Sequence, residues 1–194
     1  MIGNQYFNVF RQNQPKPSQF YVNKGSVKVV NSNEPFWIRY QNQDANFVNY
    51  NLTDNRVSIE ATKDDVHFTV NINSLNNCKV KLGAGNMHVQ STCPKTEVEV
   101  TSGTMKVNVA RNSIGKVDAK VSVGVLSNHS DLAVQQHENG AGGGFGFGFG
   151  SIFGSSANHF YAGSNNNSVS LAGDIQDHEA KFSVGSGVLN INNE

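Results

Sequence analysis

Histidine, cysteine and carboxylate are the side chains of this chain that could do chemistry, and their spacing decides which chemistry. The six histidines, His67, His88, His129, His137, His159 and His178, are scattered along the chain. Alternation with apolar neighbours turns His67 and His88 outward, where solvated histidine is the ordinary use. His137, His159 and His178 flank or lie within one irregular segment, and would meet at a metal only if that segment folded back. No Cys-Xaa-Xaa-Cys or mixed Cys/His spacing marks a zinc site. Cys78 and Cys93 bracket one repeat unit. In an oxidising compartment they could pair as a disulfide; otherwise they are two free thiols.

Glu97 and Glu99 stand near Lys79, Lys81, Lys106 and Lys120. Carboxylates with lysines on one exposed face are what a polysaccharide lyase or hydrolase built on a β-helix requires. Cross-strand Glu/Lys pairing on a wet face is the ordinary use of the same residues. The chain lacks a GxSxG elbow, an HExxH pair and a P-loop, and the spaced glycines of residues 144–150 lack the strand-to-helix context of a nucleotide site. The expectation is a protein without catalytic, cofactor-binding or metal-ligating residues, and so not an enzyme.

Charge narrows the partners. Fifteen basic and fifteen acidic residues leave a formal net charge of zero, with no basic excess or stripe in the sequence to suggest nucleic acid. No basic amphipathic stretch suggests a membrane surface, and no run of about 18 apolar residues suggests a transmembrane helix. Met1–Phe7 has no basic segment followed by an apolar run, so it does not read as a signal peptide. Two compartments fit this: the cytoplasm, or the cell envelope or exterior after removal of a leader.

The elements that would position these residues are short strands. Charged residues are only 15% of the chain, and Asn, Gly, Ser and Val supply turns and strands rather than helices. One unit recurs: a strand, a glycine, a second strand. It is clean around Gly25, Gly85, Gly103, Gly124 and Gly187. Gly85 to Gly103 is 18 residues and Gly103 to Gly124 is 21; the gaps of 60 and 63 residues flanking them fit three units each. Apolar residues take alternate places on both sides of the glycine, as in Glu97-Val98-Glu99-Val100, so each strand has a dry and a wet face. The glycine supplies a bend. Weaker strands in the same rhythm fall at 36–40, 47–50, 56–60 and 66–72. The predicted fold is an all-β, single-domain β-solenoid, a parallel β-helix-like stack with a repeat of about 20 residues. A β-sandwich is the alternative. Residues 1–19 read as an extended N-terminal arm and 20–194 as the solenoid domain.

Residues 136–168 break the rhythm with a Gly/Phe-rich insertion. It reads as a flexible loop, as a strand whose rings pack on the stack, or as an adhesive patch of Phe145, Phe147, Phe149 and Phe153 that contacts a partner, another protomer or a membrane.

The units at 98–107 and 182–191, each carrying Ser-Gly between two strands, resemble the rungs of the bacterial "putative adhesin" family of β-solenoid domains. The resemblance spans about residues 20–135 and 168–192. It implies a non-enzymatic envelope-associated or secreted protein that binds an unknown surface protein or glycan, without cofactor. It carries over no site residues. A glycan-active enzyme and a self-assembling module built on the Phe-rich segment are the alternatives.

Overall fold

The computed structural model describes residues 6–9, 16–34, 36–53, 55–138, 159–163 and 166–194. Among them are thirteen strands and two short 3-10 turns, and no α-helix. In chain order the strands are β1 (Tyr6–Asn8), β2 (Gln19–Val30), β3 (Trp37–Gln41), β4 (Val48–Leu52), β5 (Arg56–Ala61), β6 (His67–Asn71) and β7 (Asn77–Val89). Then come β8 (Lys95–Val109), β9 (Lys116–His129), β10 (Ala133–Glu138), β11 (His159–Gly163), β12 (Asn167–Ala172) and β13 (Glu179–Asn193). All thirteen join one mixed sheet. The all-β class expected from composition is the class observed.

Five strands of 12 to 15 residues, β2, β7, β8, β13 and β9, form the middle of the sheet and run parallel. Each carries one of the five glycines at its bend, and register aligns those glycines in one column: Gly25, Gly85, Gly103, Gly187, Gly124. Their φ values lie between 119° and 140°, a region that L side chains rarely adopt. Crowding adds to this. A Cβ on Gly85, Gly103, Gly187 or Gly124 would overlap the carbonyl oxygen of the neighbouring glycine in the column.

The bend divides each strand into a first and a second limb, and it shifts the alternation. The last buried residue before the glycine and the first after it are Val22 and Val27, Leu82 and Met87, Val100 and Met105, Val184 and Leu189, Val121 and Leu126. That separation is odd, so the inward face changes parity at the bend and both limbs keep their apolar side inside. The register stacks like on like: Val22, Leu82, Val100, Val184 and Val121 on one limb, Val27, Met87, Met105, Leu189 and Leu126 on the other. All ten are at most 2% exposed. The two inner faces merge in one apolar cluster, where each fully buried aliphatic side chain contributes about 1.5–3 kcal/mol.

Two expectations drawn from the glycine spacing do not hold. The residues between Gly25 and Gly85 were expected to make further stacked units, yet β2 pairs directly with β7. The chain between them leaves the stack and covers its outer side. There β5 pairs with the first limb of β2 and β6 with the second, both parallel. They make one rung broken at its corner: the offset from β2 is 37 residues along β5 and 41 along β6. Asn23 covers the break. Its side-chain oxygen accepts from the Ala61 and Lys24 amides at 2.8 Å each, and its amide donates to the Ala61 carbonyl at 3.0 Å. Antiparallel β4 and β3 then cover β5 and β6, and β1 pairs with β3.

The second spacing expectation fails between Gly124 and Gly187. β13 follows β9 in the chain, yet it lies between β8 and β9 and pairs with both. On the far side of β9, antiparallel β12 covers the first limb and β11 the second, and β10 pairs with β12. The described ends of the Gly/Phe insertion therefore continue the sheet rather than leave it.

Candidate functional site

The outward residues of the first limbs form rows that cross the strands. Six residues before each glycine stand Gln19, Lys79, Glu97, Lys181 and Asp118, with Arg56 and Ser170 at the two ends. Two residues further along stand Tyr21, Lys81, Glu99, Ser183 and Lys120. Charges alternate and pair: Lys79 with Glu97 at 2.8 Å, Lys81 with Glu99 at 2.9 Å and Lys116 with Asp118 at 3.0 Å. Ser170 hydrogen-bonds Asp118. The guanidinium of Arg56 lies over the Tyr21 ring at 5.6 Å.

Three adjoining concavities follow these rows. One of about 390 Å³ is lined by Tyr21, Arg56 and Lys81 together with Gln19 and Lys79. The next, about 340 Å³, shares Gln19 and Lys79 and adds Ser18, Asn55 and Asn77. The third, about 400 Å³, shares Glu97 and Lys181 with it and reaches Asp118, Lys120, Ser168 and Ser170. Together they make a trough across the stack, where Phe20, Ala119, Val169 and Phe182 lie among the polar lining.

The electrostatics of the trough suit binding better than proton transfer. Burial pushes the Asp118 carboxyl upward, but the Ser170 hydroxyl, Lys116 and the charge of Lys181 outweigh it and hold its pKa below the ordinary carboxylate value. A carboxylate so held is a poor general acid near neutrality. Glu97 and Glu99 carry the lysine pairing that the sequence pattern suggested. Lys106, grouped with them from the sequence, falls instead on a second limb beside His88.

Cys78 and Cys93 do come together. Their sulfurs are 3.3 Å apart, and the residues are 2% and 4% exposed. Both thiols are free. Cys78, the second residue of β7, stacks on Thr96 of β8, while Cys93 lies in the turn between those strands. The Thr96 hydroxyl accepts from the Cys93 amide at 2.9 Å and fixes that turn. The hydrogen bond between the sulfurs holds the proton on Cys78, whose pKa burial raises further, and draws the Cys93 thiol down against the opposing effect of burial.

Among the described side chains the histidines do not converge. His88 lies between Lys28 and Lys106, and His178 is 3.3 Å from the Thr92 hydroxyl. The side chains of His137 and His159 lie outside the described residues, as do Phe145, Phe147, Phe149 and Phe153. Among the described residues no group of three His, Cys, Asp or Glu side chains is arranged to hold a metal, and no helix is long and apolar enough to cross a membrane.

Sequence reasoning passed over Lys181, Asp118 and Ser170. The first two were within reach, because alignment on the central glycine places Lys181 and Asp118 in the column of Lys79 and Glu97. Ser170 has no such glycine to count from.

Over whole chains the structure is similar to that of a "putative cell adhesion protein" from Clostridium sporogenes ATCC 15579, at 14% identity and a TM-score of 0.47, covering 98% of this chain and 100% of that one. It is also similar to a "putative adhesin" from Bacteroides fragilis NCTC 9343, at 13% identity and a TM-score of 0.35, covering 98% and 97% of the two chains. No family model and no curated protein matches the chain. These likenesses are distant, and the geometry of this chain carries the function proposed below.

Proposed function

We propose that the chain is a non-enzymatic, adhesin-like binding module of the cell envelope or exterior, whose solenoid-like stack of rungs presents the first-limb trough to a surface glycan or protein. The trough is the observation that carries this. It joins three concavities of about 340 to 400 Å³ on the sheet, lined by hydroxyls, amides, a tyrosine, apolar Phe20 and Val169, and six cationic against three acidic side chains. Paired charges with many neutral donors and acceptors suit recognition of a hydroxyl-rich surface by numerous modest contacts. The sequence resemblance to adhesin-type rungs supports the same reading.

Purified chain is to be screened on an array of bacterial and host glycans and extracellular proteins, beside the Tyr21→Ala/Arg56→Ala variant. A selective ligand whose binding weakens about tenfold or more in the variant supports the assignment. Turnover of any glycan, read as new reducing ends, overturns it.

A further inference from the structure

The two outer faces of the stack differ in charge. On the first limbs and the strand that extends them, five carboxylates point outward: Glu60, Glu97, Glu99, Asp118 and Glu179. On the second limbs the outward rows of β2, β7, β8 and β13 contain none. They read Ser26, Asn86, Thr104, Val188 and, three residues after the glycine, Lys28, His88, Lys106, Asn190. Lys28, His88 and Lys106 are thus adjacent on three successive strands, with the outer lysines about 10 Å apart at the usual strand spacing. Acids lie at the margins: Asp64 and Asp65 at the corner, bonded to Lys24 at 2.9 Å and Lys63 at 3.2 Å, Glu34, bonded to Arg39 at 3.1 Å, and Asp131 and Glu194, held near the ends of β13 and β8.

We infer that this second-limb face is a separate binding site for an acidic polysaccharide, which lies across the strands with its anionic groups on Lys28 and Lys106. Like charges stacked in register destabilise a sheet unless something offsets them. The first limbs interleave lysine with carboxylate; the second limbs leave two lysines flanking a histidine without an acid in the row. A bound polyanion supplies the missing charge. The surrounding side chains choose its class. Asn86 and Thr104 offer amide and hydroxyl groups to sugar hydroxyls, whereas a single-stranded nucleic acid would call for stacking aromatics; the outward rows of β2, β7, β8 and β13 contain no Phe, Tyr or Trp, and Trp37 on β3 has Arg39 over its ring at 4.0 Å.

His88 reports on occupancy. Partial burial lowers its pKa first, followed by Lys106 and then Lys28, and its ring nitrogen sits 3.4 Å from the Asn108 amide. The groups facing it are Lys28, Ser26 and Val30 from β2, Lys106, Thr104 and Asn108 from β8, and Asn86 and Gln90 from its own strand and the residue beyond. None is acidic. An anion between the lysines cancels their repulsion, so binding raises the His88 pKa, and protonation of His88 tightens binding in turn.

The full chain is to be measured against immobilised polygalacturonate, neutral dextran and a single-stranded DNA oligomer. Retention on polygalacturonate at low salt, its loss by about 0.5 M salt, and no retention on dextran are expected. Lys28→Gln/Lys106→Gln is expected to weaken that binding about tenfold or more, while Lys24→Gln/Lys63→Gln, which removes two charges at the corner where Lys24 meets Asp64 and Lys63 meets Asp65, changes it less than about twofold. The His88 ring, followed by NMR, shifts its titration upward when polygalacturonate is present. No retention, equal losses in the two variants, or DNA held as tightly as polygalacturonate overturns the inference. A ligand bound through Tyr21 and Arg56 alone would sink it while leaving the trough assignment standing. Circular dichroism of each variant separates lost binding from lost folding.

Discussion

Each glycine in the central column is required twice, once by its own φ and once by the carbonyl packed against it. Gly103→Ala should therefore cost about 3 kcal/mol or more in urea unfolding, whereas the exposed neighbour change Ser102→Ala should cost less than about 0.5 kcal/mol. The cysteine pair makes a second prediction. With a small disulfide as oxidant, Cys78 and Cys93 give up two protons and two electrons and join, and the oxidant leaves as two thiols. A loop of 15 residues closed this way adds about 3 kcal/mol. Oxidised protein should show no free thiol and a raised melting temperature, and Cys93→Ser should show neither response. Acid sensitivity at Asp118 has a defined sign. Its folded pKa lies below the ordinary value of 3.8, so its contribution to stability is present above that pH and fades as pH falls through the lowered value. The melting-temperature gap between wild type and Asp118→Asn should be widest above about pH 4 and narrow as the pH falls below that.

Among the elements, the placement of β13 suits the charges of two outward rows, although in a third its Ser183 parts Glu99 from Lys120. Had β9 stacked directly on β8, Glu97 would face Asp118 and Lys95 would face Lys116. With β13 between them the rows become Glu97, Lys181, Asp118 and Lys95, Glu179, Lys116. Opposite charges across strands contribute a few tenths to about 1 kcal/mol each, and like charges cost as much. Lys181→Glu should accordingly lower stability by about 1 kcal/mol, and adding Glu97→Lys should restore most of it; no restoration would mean the charges do not act through register. This also marks how much was legible in the sequence. Alignment on glycine locates the bends, the inward columns and the outward rows, because those depend on local alternation alone. Rung order does not follow from it, since it is set between segments far apart in the chain. The β5–β6 rung escaped for a local reason: Thr62–Val66 replaces the glycine with a loop, so one rung reads as two strands. The order of charges along the trough was hidden for the same cause as the rung order, because Lys181 separates Glu97 from Asp118 only once β13 lies between β8 and β9.

For the molecule as a whole, nearly every stabilising pair is remote. β2 meets β7 at a separation of 60 residues and β8 meets β13 at 84. Such topologies fold in milliseconds to seconds or slower, and refolding from urea should fall at the slow end of that range. A chain lacking residues 176–194 should lose cooperative unfolding altogether, since β8 and β9 would lack their shared partner and the core its Phe182, Val184, Leu189 and Ile191. A truncated chain that still melts sharply would show that β8 and β9 can join directly.

The position of β13 also governs how the protein is made. On the ribosome β8 is finished 84 residues before its partner in β13, and at about 5–20 residues per second its open edge waits roughly 4 s or longer. Until then the half-made chain offers an unpaired strand edge to chaperones and to other nascent chains.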